Sequence, residues 1–339
     1  MMEKMSLLTA AFTAMLVTAV SGFAIIPALH RMHFGQTIKE IGPTWHAGKN
    51  GTPTMGGLTF YLGDVLGVAA GYAVLVLCAP ALMGGYFSVQ SITLYICILT
   101  AFAFGAVGFV DDYIKVVKKR NLGLRARAKI VAQVLITAAF LCALTLNGTL
   151  TTYVTLPVLG TVDFGYAFYP ISFLLIIGMV NAVNLTDGID GLSSSVTFVV
   201  MLGFLFVASF LGNTAVALFA AAIAGGCAGF LSWNFYPAKT FMGDTGSMFL
   251  GGAVVAAAYG LRRPELLIFF GVVYLAEAGS VMLQVAYFKL THGKRIFKMA
   301  PIHHHFEMCG WNENKICFVF SGVTLFAGII GVLLAVFGC

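Results

Sequence analysis

Long apolar runs separated by short polar segments dominate this chain. A membrane-spanning helix needs about 20 mostly apolar residues, and the sequence offers several runs close to that length. The predicted spans lie at about 6–29, 56–79, 91–110, 128–146, 168–185, 194–211, 215–234, 246–260, 265–289 and 316–337. The pattern predicts an all-α integral membrane protein with about ten transmembrane helices. We expect residues 1–339 to form a single polytopic domain without a soluble appendage.

The composition supports lipid as the main solvent. Only 9% of the 339 residues are charged and 60% are hydrophobic, whereas soluble domains carry about 25% charged residues. So few charges could not cover a globular surface in water. The first apolar run is longer than the core of a secretory signal, which has about 7–15 residues, so we interpret it as a span. The seven cysteines form no CxxC pair, which disfavours a zinc ribbon.

The basic residues predict the orientation of the spans. Among nineteen Lys and Arg residues, all but Lys4, Arg262 and Arg263 fall on one side of the ten predicted spans. Cytoplasmic loops carry an excess of Lys and Arg, so this side should be cytoplasmic and both termini should lie outside. The predicted cytoplasmic loops are about 30–55, 111–127, 186–193, 235–245 and 290–315. All seven histidines lie on this side.

Two acidic segments lie at the cytoplasmic ends of predicted spans, the first at the end of the third span and the second just before the eighth. "GFVDDYIK" carries Asp111 and Asp112, followed by a run of basic residues, and "FMGDTGS" carries Asp244 between glycines. Each alone is compatible with a solvated helix end or an N-cap. Together they favour a hard cation such as Mg²⁺, which binds carboxylates and phosphates, and so phosphoryl transfer. The sequence lacks a GxxxxGK[ST] motif, which disfavours an ATPase-type site.

A third polar segment, "NAVNLTDGIDGL", ends the fifth predicted span. Asn181, Asn184, Asp187 and Asp190 recur at every third position. On a helix or tight turn this spacing places all four side chains on one side. A polar turn that ends the helix is the simpler explanation, but such a turn requires fewer polar side chains than the two asparagines and two aspartates present here. We therefore expect this segment to join the acidic site.

The stretch "APIHHHFEMCGW" contains three adjacent histidines. They could bind a metal, act as a base, or form a polar run at the membrane edge. Adjacent residues point about 100° apart on a helix, which disfavours a shared zinc ion. Because they lie on the same side as the acids, they can donate hydrogen bonds to the oxygens of a ligand bound there.

Five motifs carry a family resemblance. They are HAGKNGTPTMGG (46–57), DDYIK (111–115), NAVNLTDGIDGL (181–192), NFYPAKTFMGDTGS (234–247) and PIHHHFE (301–307). The chain resembles the polyprenyl-phosphate N-acetylhexosamine-1-phosphate transferase superfamily, and PIHHHFE is typical of its muramoyl-pentapeptide branch. The resemblance implies transfer of phospho-MurNAc-pentapeptide from UDP-MurNAc-pentapeptide to undecaprenyl phosphate, with Mg²⁺, giving lipid I and UMP for peptidoglycan synthesis. It also implies a homodimer in the bacterial cytoplasmic membrane and no nucleic-acid partner.

The resemblance also implies roles for single residues. Asp244 would hold Mg²⁺ with support from Asp111 and Asp112, and Asp111 would position or deprotonate the lipid phosphate. His303 would take part in catalysis beside the diphosphate. The remaining implied substrate-binding residues are Lys49, Thr52, Lys115, Lys129, Asn181, Asn184, Asp187, Gly188, Ile189, Asp190, Asn234, Phe241, Gln284, His304 and His305.

Two alternatives stay open at this point. A related transferase could use UDP-GlcNAc, although the PIHHHFE stretch argues against it. An ion-coupled transporter would favour inverted repeats and polar residues near the membrane midplane, whereas the acids here gather at one interface. Asp64 and Glu277 lie within predicted spans, where we expect paired or water-facing structural acids.

Overall fold

Helices make up almost all of the structure. The computed structural model describes residues 1–32, 51–117, 123–156 and 160–337. The longer helices are α1 (Met2–Arg31), α2 (Leu58–Cys78), α4 (Val89–Val117), α5 (Ala126–Leu146), α6 (Phe168–Thr186), α7 (Leu192–Phe210), α8 (Thr214–Asn234), α9 (Gly243–Gly260), α11 (Val272–Leu290) and α13 (Glu313–Phe337). The shorter ones are α3 (Pro80–Met83), α10 (Leu266–Phe270) and α12 (Ile302–Met308). Two strands, β1 (Tyr153–Leu156) and β2 (Gly160–Asp163), form an antiparallel hairpin between α5 and α6.

Within the described ranges, 8 helices are long and apolar enough to cross a membrane. They are α1, α2, α4, α5, α6, α7, α8 and α13. This confirms the prediction of an all-α integral membrane protein. Helices α9 and α11 have 18 and 19 residues but are less apolar, because α9 is rich in small and polar residues and α11 contains Glu277. The total of ten spans therefore stays a prediction.

The predicted span 265–289 is interrupted. Helix α10 ends at Phe270 and α11 starts at Val272, with Gly271 at the junction. A side chain at Gly271 would collide with the Leu267 carbonyl and the Met179 side chain. The close approach of these chain segments explains the need for glycine, and the apolar pattern of the segment did not predict the break.

Helix α9 is the centre of the bundle. All of its residues from Thr245 to Gly260 are buried. Small residues let neighbouring helices pack closely against it, as in membrane bundles generally. Thus Gly252 lies against Ala101 of α4, and Gly251 lies against Val180 of α6. The start of α9, which carries Asp244, is thereby held between the ends of α4 and α6.

Successive long helices reverse direction, so alternate connections meet at the same end of the bundle. The C-terminal ends of α4, α6 and α8 adjoin the N-terminal ends of α5, α7 and α9 at one end, and the β1–β2 hairpin lies at the other. All three acidic segments therefore meet, as the sequence pattern predicted. Which membrane side this end faces stays a prediction.

Several boundaries differ from the predicted loops. Helix α4 continues to Val117, so Asp111, Asp112 and Lys115 are helical rather than part of a loop starting at 111. Helix α12 forms within the predicted loop 290–315. Most of the predicted loop 30–55, including Lys49, lies outside the described residues.

Candidate active site

Three carboxylates converge where α4 meets α9. Asp111 and Asp112 lie near the end of α4 and are 4% and 3% exposed, while Asp244 lies in the first turn of α9 and is more accessible. One ligand oxygen from each lies within 4.8 Å of the others. We call these three residues the carboxylate cluster. Carboxylates this close repel one another unless a cation or proton intervenes.

Two lysines provide positive charge to the cluster. Lys115 Nζ lies 2.6 Å from Asp111 Oδ2 and 3.1 Å from Asp244 Oδ2. Lys129 Nζ lies 2.9 Å from the same Asp244 oxygen. Burial alone would raise the pKa of the Asp244 carboxyl, but the lysine ammonium groups outweigh burial and hold that pKa well below its usual range. Asp244 is therefore an anion in the folded protein.

Hydrogen bonds fix the orientation of the acids. The backbone N–H and the hydroxyl of Thr245 both donate to Asp112 Oδ2, at 2.8 Å. The Asn184 amide donates to Asp244 Oδ1 at 3.0 Å and to Ser247 Oγ at 2.7 Å. Asp112 Oδ1 accepts a longer hydrogen bond, of 3.4 Å, from Lys115 Nζ. Asp244 is held from α6 as well as from α4 and α5.

Glycines permit the close approach of backbone to the cluster. Gly243 adopts φ +71°, and a Cβ there would meet Asp112 Oδ2 at 2.5 Å. A Cβ at Gly123 would meet the Asp111 carboxylate, which also accepts a 2.8 Å hydrogen bond from the Leu124 backbone N–H. Larger residues at these positions would displace the acids or the backbone.

The turn formed by residues 187–191 lies beside the cluster. Asn234 Oδ1 accepts a 3.2 Å hydrogen bond from the Gly191 N–H, and its Nδ2 donates to the Thr240 carbonyl at 3.0 Å. Asp190 Oδ2 accepts from the Ala238 N–H at 2.9 Å. Asn234 and Asp190 are each 2% exposed. Their side chains therefore hold this turn against the 235–242 segment.

Asp187 is linked electrostatically to the carboxylate cluster. Burial, followed by the negative charges of Asp244, Asp112 and Asp190, raises the pKa of its carboxyl well above the usual value. The side chain is half-buried at the end of α6. Asp187 therefore holds a proton more tightly than an ordinary aspartate does.

The three histidines have three different partners. His303 Nδ1 lies 2.9 Å from Glu277 Oε2 on α11, and His304 Nδ1 lies 2.6 Å from Glu307 Oε2. His305 Nδ1 accepts a 3.1 Å hydrogen bond from the Lys298 N–H. Over the ranges the structure describes, the group suited to a metal comprises the three aspartates and includes no histidine. Whether these histidines bind a metal stays a prediction.

His303 also reaches the 187–191 turn. Its Nε2 packs against Gly188, where a side chain would collide with the imidazole ring. The structure therefore brings His303 next to Asp187. His305 is instead engaged by the 298–309 segment that carries it.

Other predicted substrate-binding residues contact the protein itself. Asn181 pairs with Gln133 of α5 through amide hydrogen bonds of 2.8 and 3.3 Å. Gln284 accepts from the Ile296 and Phe297 N–H groups and donates to the Phe297 carbonyl, each at 3.0 Å. These amides connect segments around the site, and substrate contact by them stays a prediction.

The 51–57 segment closes one edge of the site. The Phe241 N–H donates to the Pro53 carbonyl at 2.9 Å, and the Gly56 N–H donates to the Phe241 carbonyl at 2.8 Å. Thr52 and Phe241 are both half-buried here, and Ile189 is 5% exposed. The geometry is compatible with contact to a ligand by Thr52 and Phe241, which stays a prediction.

Two supporting residues were not assigned from the sequence. Thr245 binds Asp112, and Gln133 binds Asn181. Gln133 is a polar residue inside an apolar predicted span, which is a signal that could have identified it. Thr245 gave no comparable signal, because a hydroxyl after an aspartate is common at helix starts.

Comparison with known proteins covers both the site and the whole chain. The family model described as glycosyl transferase family 4 matches residues 93–261, which include the entire carboxylate cluster. The phospho-N-acetylmuramoyl-pentapeptide-transferase of Heliobacterium modesticaldum is 47% identical over 312 residues, covering 92% of each chain. That of Caldicellulosiruptor bescii is 45% identical, covering 89% of this chain and 88% of its own. That of Clostridioides difficile is 42% identical, covering 95% and 96%. With this identity over nearly the whole length, the chain belongs to the phospho-N-acetylmuramoyl-pentapeptide-transferase family.

Proposed function

We propose that this protein transfers phospho-MurNAc-pentapeptide from UDP-MurNAc-pentapeptide to undecaprenyl phosphate, giving lipid I and UMP. The observation that carries the proposal is the carboxylate cluster with Lys115 and Lys129 within 3.1 Å of Asp244. Metal-binding acids and fixed cations are the groups that phosphoryl transfer requires. The relatives are phospho-N-acetylmuramoyl-pentapeptide-transferases, which supports the transferred group. The UDP donor and the undecaprenyl phosphate acceptor follow from the family resemblance.

The reaction joins two anions. An oxygen of the lipid phosphate attacks the β-phosphorus of the sugar nucleotide, and the bond from that phosphorus to the bridging oxygen of UMP breaks. A phosphate monoester has a second pKa of about 6 and is largely ionised at neutral pH. Asp111 therefore serves mainly to position the nucleophile, through its contact with Lys115. Lys115 and Lys129 offset the repulsion between the two reactants.

The carboxylate cluster fits Mg²⁺. It offers oxygen ligands, which Mg²⁺ prefers, and three of these oxygens lie within 4.8 Å of one another. Asp244 would hold the ion, with Asp111 and Asp112 in support. Bound there, the ion would neutralise charge on the phosphates.

The nucleotide side of the site is proposed to lie at the 187–191 turn. Phe241 would stack on the uracil, the turn would meet its polar edge, and His303 and His304 would lie towards the phosphates. Asn234 and Gln284 are assigned positioning roles, because their amide groups already bind the protein.

The site is proposed to face the cytoplasm of a bacterial cell. Support comes from the basic residues at this end and from the substrate, since a soluble nucleotide dianion must reach it from water. Single-cysteine proteins would test this in intact cells. Cys309 is exposed near the site, and Tyr166→Cys would place a thiol at a 95% exposed position near the hairpin. A maleimide that cannot cross the membrane should label only the cysteine introduced by Tyr166→Cys. Labelling of Cys309 alone would contradict a site that faces the cytoplasm.

A homodimer is also proposed from the family resemblance. Native mass spectrometry of the protein released from mild detergent should show a two-chain species. A monomer under conditions that preserve activity would contradict this assignment.

The substrate assignment is tested by direct competition between donors. Purified protein would be incubated with undecaprenyl phosphate, Mg²⁺ and either UDP-MurNAc-pentapeptide or UDP-GlcNAc. We expect UMP and lipid I from the first donor only. Product from UDP-GlcNAc alone would indicate the related transferase. Ion flux through vesicles with no transfer from either donor would indicate the transporter.

A further inference from the structure

Glu277 and His303 form a buried pair that the proposed chemistry does not yet use. Their side chains are 0% and 1% exposed, and His303 Nδ1 lies 2.9 Å from Glu277 Oε2. Burying a carboxylate is unfavourable unless a counter-charge and hydrogen bonds compensate. A structural need for such a pair inside an apolar helix is weak, because well-packed apolar residues can serve equally well.

The imidazole is the counter-charge that the structure offers to Glu277. Over the described ranges, no lysine or arginine forms an ion pair with this carboxylate. An ionised Glu277 can only accept hydrogen bonds, which places the proton of this contact on Nδ1.

The second nitrogen of the His303 ring indicates a ligand-binding position. His303 Nε2 is buried and has no hydrogen-bond partner among the described residues. A buried polar atom without a partner is destabilising, so its presence calls for an explanation. Nε2 lies against Gly188, next in sequence to half-buried Asp187, at the edge of the proposed nucleotide site.

We propose that Glu277 is a positioning residue that holds His303 as an imidazolium with its Nε2–H directed at a phosphate oxygen of the nucleotide. This rests on the proposed function and adds a residue to it. Hydrogen bonds in active sites often close only when substrate binds. A small shift of the 187–191 turn, of the kind that commonly accompanies binding, would expose Nε2. Gly188 suits this arrangement because any side chain there would occupy the position of the ring edge.

Two conservative substitutions distinguish the contribution of the Glu277 charge from that of His303 Nε2. Glu277→Gln keeps the size and an oxygen acceptor for Nδ1–H but removes the charge. His303→Asn keeps an amide N–H near the Nδ1 position, so the bond to Glu277 can persist, but it removes Nε2. The double variant retains an amide–amide pair and should fold. Asp64→Asn is the matched control, because Asp64 is a second buried acid within a helix, 3% exposed and packed against Gly226 of α8.

The test is a double-mutant cycle on kcat/KM for UDP-MurNAc-pentapeptide, together with inhibition by UMP and by uridine. His303→Asn should lower kcat/KM by about 10²-fold, a usual contribution of a positioned histidine. Glu277→Gln should lower it by about 10-fold, and the double variant should match His303→Asn within about 3-fold, because the two act as one unit. Inhibition by UMP should weaken in both single variants while inhibition by uridine stays unchanged. Asp64→Asn should alter none of these constants.

Three results would overturn the inference. The first is wild-type kinetics in a folded His303→Asn protein. The second is a double variant whose fold-loss in kcat/KM is the product of the two single losses. The third is an equal weakening of inhibition by UMP and of inhibition by uridine. Thermal unfolding of each variant identifies losses caused by misfolding. If the wild-type protein forms no lipid I, the proposed function is wrong. Calorimetric binding of UMP and of uridine to the wild type, the two single variants and the double variant still tests whether Glu277 and His303 bind a nucleotide phosphate.

Discussion

Lys129 of α5 and Asp244 of α9 meet across 115 residues of chain, with Nζ 2.9 Å from Oδ2. Both side chains are largely buried, at 17% and 21% exposure. Screening by solvent is therefore limited, and the pair connects two helices at the point where three carboxylates converge. Loss of either partner leaves the others with uncompensated charge.

Lys129→Met should lower kcat/KM for UMP release by about 10²-fold, since one of two cations that face the reacting phosphates is lost. Steady-state kinetics measure the effect. Arg127→Met is the control, because Arg127 is exposed on the same helix and should retain activity. Equal losses in the two variants would indicate a general effect of charge on the membrane surface.

Asp244→Asn should abolish Mg²⁺-dependent UMP release, with a loss of at least about 10³-fold, because an amide is a weak ligand for a hard cation. Turnover should be measured across a range of Mg²⁺ concentrations. Asp163→Asn removes an acid from the hairpin at the other end of the bundle and should respond to Mg²⁺ as the wild type does. Normal turnover in Asp244→Asn would exclude its role in metal binding.

Asp187→Asn should make stability less dependent on pH. Folded Asp187 has a raised pKa and unfolded aspartate has one of 3.8. The folded form therefore binds the proton more tightly, and wild-type stability falls as pH rises from the unfolded value towards the folded one. Asparagine does not ionise, so the stability of the variant does not fall with rising pH for this reason.

Thermal unfolding in a chelator, which removes metal from the acids, measures the difference. The melting temperature of Asp187→Asn relative to wild type should be higher at about pH 8 than at about pH 5. A difference that stays constant over this interval would show that Asp187 has an ordinary pKa. Activity should fall in the variant at both pH values, if Asp187 meets the nucleotide.

Gly188→Ala should displace His303, because the added Cβ would overlap the imidazole. We expect kcat/KM to fall by about 10-fold or more, since a small misplacement of a positioned group is costly. Gly178→Ala, within the preceding helix α6, meets no atom within 4 Å and serves as the control. Full activity in Gly188→Ala would show that the ring position is unimportant.

Asn234→Ala should destabilise the fold rather than weaken substrate binding alone. It leaves the Gly191 N–H and the Thr240 carbonyl without their partner, at a cost of about 2 kcal/mol. Chemical denaturation measures the change in unfolding free energy. A raised KM for the nucleotide with unchanged stability would instead support direct substrate contact by Asn234.

The sequence by itself predicted the class of fold and the region of the site. Apolar runs mark the helices because lipid requires about 20 apolar residues per crossing. Helix alternation then brings Asp111, Asp187 and Asp244 to one end, whatever the details of packing. The family motifs point to the chemistry, and the comparisons support the family.

Only the tertiary structure decided how each polar side chain is used. It directs Asn234 and Gln284 to backbone groups, pairs Glu277 with His303, and breaks the apolar segment at Gly271. Hydropathy is a local property that each segment carries independently. A hydrogen bond between residues far apart in the chain depends on which helix faces meet at atomic distance, and that is set by packing of the whole bundle.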